Sequence, residues 1–296
     1  MRKDIKSSLV KLFVVLTCAS LAMISCDEIA PSIDKSKSSD TTFVQAIIPV
    51  SDAKVVMVEE FTGVACLNCK DGHDEIDNLK STYGARIIAI STHALDVFSD
   101  PSRIAHSVPD LRSEDGTNAA KLYGLPNALP SAAIDRAMFD GETDVALSLN
   151  KWAGNIATRF AATSPVNINL EVLAYDSVNH ELTFEVEVIV LENIDEEIAV
   201  SIAIAEDGVV APQLDGSDWL EEYEQPHVLR DYLTAHNGKA LNANNIAGRT
   251  YQFRFTEALD STWDLDHLEL ISFVHYAGDE NLGYQVLQVA AEHVGH

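Results

Sequence analysis

The segment Lys54-Val-Val-Met-Val-Glu-Glu-Phe61 is a near-continuous apolar run that leads, through a short loop from Thr62 to Ala65, into Cys66-Leu-Asn-Cys69. Such a run suits a strand buried on both faces of a mostly parallel sheet. From Lys70 to Tyr83 the residues Ile76, Leu79 and Tyr83 recur at spacings of three and four, which predicts an amphipathic helix. Arg86-Ile-Ile-Ala-Ile-Ser-Thr92 reads as a second buried strand, completing a βαβ unit. With a strand behind it and a helix ahead of it, the cysteine pair becomes far more specific than the tetrapeptide alone.

The chemistry that this position favours is thiol-disulfide exchange. A thiolate at a helix N-terminus is stabilised by the helix dipole and by unpaired N–H groups, so Cys66 is the expected nucleophile. Cys69, one turn further on, is the expected resolving thiol. A structural disulfide is the alternative, because compartments beyond the inner membrane are oxidising. His73 follows Cys69 by four residues on the same helical face, so a Cys/Cys/His metal site is a weaker reading with no fourth ligand in view. His93 follows the second strand and can approach the same loop. Glu59 and Glu60 must face opposite sides of their strand, and a proton-relay role for Glu60 requires that it be buried.

Residues 93–111 contain Pro101 and Pro109 and no clean period, and read as an irregular insertion. A helix with a polar N-cap is predicted from Ser113 to Tyr123, stopped by Gly124, then a strand from Ser131 to Asp135 and a helix over about 145–162. Past Pro165 the pattern changes to strict alternation, in Val166–Val172, Leu182–Val188 and Ala199–Ile204, with further candidates at Thr250–Thr256, Leu268–Tyr276 and Tyr284–Ala290. These are expected as half-buried antiparallel strands of an all-β sandwich of immunoglobulin-like type. The connection from Gly208 to Gly248 has no clear pattern. Within it, Trp219, Tyr223 and His227 are expected to anchor the segment onto the sandwich, and Asp215-Gly-Ser-Asp218, like Asp264-Leu-Asp266, reads as an acidic turn without a calcium-binding frame.

The N-terminus carries Arg2, Lys3, Lys6 and Lys11, then an apolar run from Leu12 to Ile24 that is shorter than the roughly 20 residues of a membrane span. The run ends in Leu21-Ala-Met-Ile-Ser-Cys26, which resembles a lipobox, with Met23 where Leu is commoner. Residues 1–25 are therefore expected to be a lipoprotein signal peptide and Cys26 the site of acylation, palmitate included, anchoring the chain to a bilayer. Asp27-Glu28 resembles a surface-export signal, so periplasmic and surface-exposed orientations both stay open. Residues 26–43, rich in Ser, Lys, Asp and Pro through the stretch 30–42, are expected as a flexible tether.

The full chain has 20 Lys and Arg against 46 Asp and Glu, a net charge of −26. Without the leader, which holds four basic residues and Asp4, the balance is 16 against 45, or −29. Nucleic acid is excluded as a partner, since phosphate binding needs clustered cations. No P-loop, dinucleotide fingerprint or Gly-x-Ser-x-Gly motif is present, and no cofactor is expected.

Glu60-Phe61 followed by Cys66-x-x-Cys69-Lys70 resembles thioredoxin, which implies that Glu60 is the buried acid serving the resolving cysteine. Tyr123-Gly124 followed by Leu129-Pro130-Ser131 resembles the loop bearing the cis-proline, here Pro130, with Pro126 the weaker candidate because the gap is one residue longer. Ala65 stands where Trp is typical, and Leu67-Asn68 lacks the usual proline. Over about 54–290 the chain resembles the 28-kilodalton outer-membrane-protein family of bacterial lipoproteins. Val58-Glu-Glu-Phe-Thr-Gly63, Ile134-Asp-Arg136 and His227-Val-Leu-Arg230 carry that likeness. It implies an outer-membrane location and an α/β thioredoxin-like domain (44–164) followed by the β-sandwich (165–296). The expected function is exchange through Cys66/Cys69, with Glu60 and Pro130 in support. The alternative is a non-catalytic binding or scaffold lipoprotein with a protein partner in the envelope.

Overall fold

The computed structural model describes residues 39–279 and 281–295; the signal peptide, Cys26 and most of the expected tether lie outside them. In chain order the elements are β1 (Ser39–Val44), β2 (Val56–Phe61), α1 (Cys69–Tyr83), β3 (Ile87–Thr92), α2 (Asp96–Ser99), α3 (Glu114–Tyr123), β4 (Ser131–Ile134), β5 (Ala146–Ser148) and α4 (Trp152–Phe160). Then come β6 (Val166–Asp176), β7 (Glu181–Val190), β8 (Ile198–Glu206), β9 (Val209–Asp215), β10 (Asp218–Gln225), β11 (Val228–Tyr232) and β12 (Lys239–Ala240). The last three are β13 (Arg249–Ala258), β14 (Leu268–Tyr276) and β15 (Val286–His293).

Strand β2 is buried along its whole length, as its apolar run predicts, and pairs in parallel with β3 across helix α1. Ile76 and Leu79 of α1 pack with Val56, Val58, Ile87 and Ala89 on one face of this pair, together with Trp152 and Ile156 of α4. The opposite face carries Met57, Ile88 and Ile90 into a second core that contains Ala119 of α3, Leu229, Tyr232 and Phe273. Helix α3 begins where its polar cap predicts: the Ser113 hydroxyl accepts from the Gly116 N–H at 3.1 Å, and Gly124 closes it at φ 100°.

The expected α/β thioredoxin-like domain followed by a separate immunoglobulin-like sandwich is corrected by the sheet topology. Strands dominate, and the β2–β3 pair has no sheet of its own. One nine-stranded sheet runs β15-β14-β8-β11-β3-β2-β4-β5, with β12 also paired to β8. The join is made by β11, which is parallel to β3 at Val228 and Ser91 and antiparallel to β8 along its other edge. That strand comes from the connection whose sequence has no legible period, so the join is invisible to pattern reading. A consequence is that β8 is buried at all nine positions instead of alternating.

The second sheet has the order β1-β13-β7-β6. Its inner face packs Leu182, Phe184, Val186, Val188, Phe253 and Phe255 against Ile198, Val200, Ile202 and Ile204 of the large sheet. The end of the expected tether, 39–43, belongs to β1 and pairs with β13. The predicted helix over 145–162 is shorter, because 146–148 pair with β4 as β5 before the chain turns into α4.

A buried disulfide, a buried acid and a covering hairpin

Cys66 and Cys69 form a disulfide at the start of α1. Cys66 is 3% exposed and Cys69 is fully buried. The loop before them is held from one side by the insertion at 93–111, where the Phe98 carbonyl accepts from the Ala65 N–H at 3.0 Å. The insertion approaches so closely that a Cβ on Gly63 would lie 2.7 Å from Cβ of Phe98. Arg112, bonded to Asp110 and Asp96, ties the insertion together.

Glu60 and its neighbour Glu59 are both fully buried, on opposite faces of β2. Glu60 lies on the α1 side, where its Oε2 accepts from the Ser91 hydroxyl at 3.0 Å. Burial pushes its carboxyl up to about 8, only partly opposed by that hydrogen bond. Its Oε1 has no hydrogen-bond partner and abuts Gly72, where a Cβ would come within 2.5 Å of it and 3.0 Å of Cβ of Pro130. The Leu129–Pro130 peptide bond is cis. Glu60 and Pro130 thus meet at Gly72, one turn into the helix that starts at Cys69.

His73 is on the same helix and buried. Its Nε2 is 3.0 Å from the Thr62 hydroxyl and 3.6 Å from Glu60 Oε2, and its Nδ1 is 2.8 Å from the Tyr223 hydroxyl. Burial pulls its pKa down to about 4, with His227 adding to the effect. His93 is buried with neither ring nitrogen hydrogen-bonded, and burial pulls it down to about 3. Among the described residues no group of three His, Cys, Asp or Glu is arranged to hold a metal ion.

Sequence reasoning missed the hairpin that covers this site. Strands β9 and β10 pair with each other and with neither large sheet. The Leu214 N–H donates to the Val64 carbonyl at 2.8 Å and the Gly216 N–H to the Leu67 carbonyl at 2.9 Å. The Gln213 amide, itself fully buried, donates to the carbonyls of Cys66 at 3.1 Å and Gly63 at 3.4 Å. Trp219 stacks on His106 at 4.2 Å between centroids, Tyr223 meets His73, and the Lys80 ammonium donates to His227 Nε2 at 3.1 Å. Trp219 and Tyr223 therefore fasten the connection to the insertion and to α1, not to the sandwich as expected, while His227 joins the last turn of α1 to Asp207 at the end of β8. The acidic Asp215-Gly-Ser-Asp218 segment is the hairpin's turn.

The family described as outer membrane protein Omp28 matches residues 118–296, more than half of the chain. The chain belongs to this family. Outer-membrane localisation follows from Omp28 membership, and no helix among the described residues is long and apolar enough to cross a bilayer. The fold is similar to that of HBP35 of Porphyromonas gingivalis, at 18% identity and a TM-score of 0.62, covering 82% of this chain and 76% of that one. It is also similar to protein AGR_C_4864 from Agrobacterium tumefaciens, at 10% identity and a TM-score of 0.52, covering 83% of this chain and 97% of that one. At these identities the likeness concerns fold alone. No curated protein sequence matches the chain.

Proposed function

We propose that this Omp28 protein is a lipid-anchored thiol-disulfide exchange protein of the outer membrane, acting through Cys66 and Cys69. The observation that carries the reading is the meeting of the CxxC helix, a fully buried acid held largely protonated, and Pro130 around Gly72. In the oxidising direction a substrate thiolate attacks Sγ of Cys66, a mixed disulfide forms, and Cys69 leaves as a thiolate. Protonated Glu60 supplies the proton that neutralises Cys69. The second substrate thiol, as thiolate, then displaces Cys66, so two electrons pass from the substrate dithiol to the bridge and the substrate leaves as a disulfide. The reducing direction is the reverse, with Cys66 as nucleophile and Cys69 as resolver. A dithiol or disulfide partner of the envelope must restore the starting form.

Cys26, preceded by Ser25 in its lipobox-like setting, would carry the acyl chains that hold the protein on the bilayer. Cys26→Ala should release the chain into the soluble fraction and remove acyl mass from the N-terminal peptide.

A second reading rests on the near-complete burial of Cys66 under the hairpin: the bridge is then structural, and the molecule a binding or scaffold lipoprotein. The reduction potential separates the two. The full chain in detergent, equilibrated in glutathione buffers and trapped by alkylation, should show a 66–69 potential between about −270 and −120 mV. A bridge that remains closed below about −300 mV would make the scaffold reading the right one.

A further inference from the structure

Residues 207–227 leave the large sheet at the end of β8 and return to it at the start of β11. Those two strands pair directly with each other at Glu206 and Val228. The hairpin between them, β9 and β10, is thus an excursion whose strands belong to no ladder of the large sheet, while His227 at its foot accepts from the Ser91 N–H at 2.7 Å. Its two ends hold left-handed backbone, Gly208 at φ 67° and His227 at φ 51°, positions at which the chain turns sharply. A two-stranded hairpin is marginally stable by itself. This one contributes Val209 and Ala211 to a small apolar cluster with Val64, Leu111 and Val228, while half of the β10 residues are exposed.

What fastens the hairpin over the cysteines is polar and strand-like. Two N–H groups, at Leu214 and two residues on at Gly216, donate to the carbonyls of Val64 and Leu67 on either side of Cys66. Buried Gln213 donates to the neighbouring carbonyls of Gly63 and Cys66 and is itself held by the Gln225 amide at 3.2 Å. The acceptors on the loop are backbone carbonyls that demand donors once desolvated. An extended polypeptide presents N–H groups at this i, i+2 spacing, with side chains alternating to either side.

We propose that the β9–β10 hairpin is the internal occupant of a groove that takes an extended polypeptide segment, whose main-chain N–H groups replace those of Leu214 and Gly216 beside the disulfide. The proposal rests on the exchange reading above for its purpose but not for its test. In the resting molecule the hairpin shields Cys66, and a substrate chain must displace it to reach the sulfur. Gln213 and the Tyr223–His73 contact act as the latch.

The test uses the oxidised full chain in detergent and an unstructured, end-blocked Ala/Ser peptide. Adding the peptide should accelerate hydrogen exchange at the Leu214 and Gly216 amides, and a copy N-methylated along its backbone should not. A Gln213→Ala/Tyr223→Phe variant should respond at roughly tenfold lower peptide concentration, since the hydrogen bonds of Gln213 and of the Tyr223 hydroxyl that hold the latch are gone. Unchanged exchange at both amides in the presence of the peptide, or equal effects of the methylated copy, would overturn the proposal. The same peptide bearing two cysteines should reduce the variant's bridge at least about tenfold faster than the wild type's. Failure of that reduction alone, with peptide-dependent exchange intact, would count against the redox reading and not against the groove.

Discussion

Glu59 and Glu60 are consecutive on β2, and both carboxylates are completely buried, one on each face of the same sheet. Their environments divide them. Glu59 receives Nε of Arg136 at 2.8 Å and Nη2 at 3.2 Å, and the Tyr232 hydroxyl lies 2.9 Å from the same Nη2. The guanidinium sits 4.9 Å from the ring centres of both Tyr123 and Phe273. Glu60 has no cation beside it, only Ser91 and the edge of His73. One carboxylate is a charged structural partner, and the other is held largely neutral.

Glu59→Ala should therefore be costly, because it strands Arg136 as an uncompensated buried charge. A loss of about 3–5 kcal/mol is expected in urea unfolding. Replacing both partners with apolar residues, as in Glu59→Leu/Arg136→Met, should recover a large part of that loss. A double variant as unstable as the single one would show that the pair is not what stabilises this face.

Glu60 sets a different expectation, one of slope with pH. Its folded pKa, about 8, stands above the unfolded value near 4.5. The folded state thus binds a proton that the unfolded state has lost. The stability this contributes is full below pH 4.5 and fades as pH rises through 8, by up to about 1.4 kcal/mol per pH unit. Glu60→Gln should flatten that slope in urea melts taken between pH 6 and 8.5. A parallel pH profile for wild type and variant would place the acid's titration elsewhere.

The parts of this fold that were legible are those in which local pattern and burial agree. The apolar run at 54–61, the three-four spacing at 70–83 and the run at 86–92 correspond to β2, α1 and β3. Leu268–Tyr276 is β14 residue for residue. The illegible part was partnership. Nothing in Val228–Tyr232 marks it as the strand that pairs with both β3 and β8, and its five residues are too few to show a period. The proton-relay reading requires a buried Glu60, and a strand covered on both faces buries Glu59 along with it. Arg136, directly after a strand and beside Asp135, was the available signal, since a carboxylate inside a strand needs a cation across the core. The hairpin's position had a fainter one: Gln213 and Gln225 flank an acidic turn in a segment with Tyr and Trp, a composition suited to docking as well as to solvent.

Asp135 links elements far apart in sequence. Its carboxylate accepts from the Met57 N–H at 2.8 Å, from Lys54 at 2.9 Å and from Arg159 at 2.7 Å, while its carbonyl receives the Val286 N–H at 2.7 Å. Burial lowers the pKa of Lys54 and Asp135 opposes that effect. Asp135→Asn should cost about 3–5 kcal/mol by leaving buried Lys54, and Arg159 beside it, without their counter-charge. Adding Lys54→Met to it should restore part of the loss in thermal or urea melts. An Asp135→Asn protein as stable as the wild type would mean that water reaches Lys54.

Two helical glycines should respond in opposite directions to the same change. At Gly154 a Cβ meets nothing within 4 Å, so Gly154→Ala should stabilise α4 by up to about 1 kcal/mol through helix propensity. At Gly72 the same Cβ would lie 2.5 Å from Glu60 Oε1, 3.0 Å from Pro130 and 3.1 Å from Trp152. Gly72→Ala should destabilise by roughly 1–3 kcal/mol and displace the acid from the cysteine helix. Paired calorimetric melts decide it, and a stabilised Gly72→Ala would mean that this contact is looser than described.

The buried histidines predict how the molecule fails in acid. His73 and His227 are pulled down to about 4 and His93 and His275 to about 3, in each case chiefly by burial. Unfolded, they take up protons below about pH 6.5. Folding therefore excludes protons that the unfolded chain would bind, and stability falls as pH drops from 6.5 towards 4. His93 is the most informative of the four, because neither of its ring nitrogens has a hydrogen-bond partner to lose. His93→Phe should keep the packing, remove one proton from the linkage, and lower the acid slope by about 1.4 kcal/mol per pH unit between pH 6 and 4.5. His73→Phe should lower it similarly but also free Tyr223, so its variant should show faster hydrogen exchange in the hairpin at neutral pH, where His93→Phe shows none. Equal exchange in the two variants would detach the hairpin from His73.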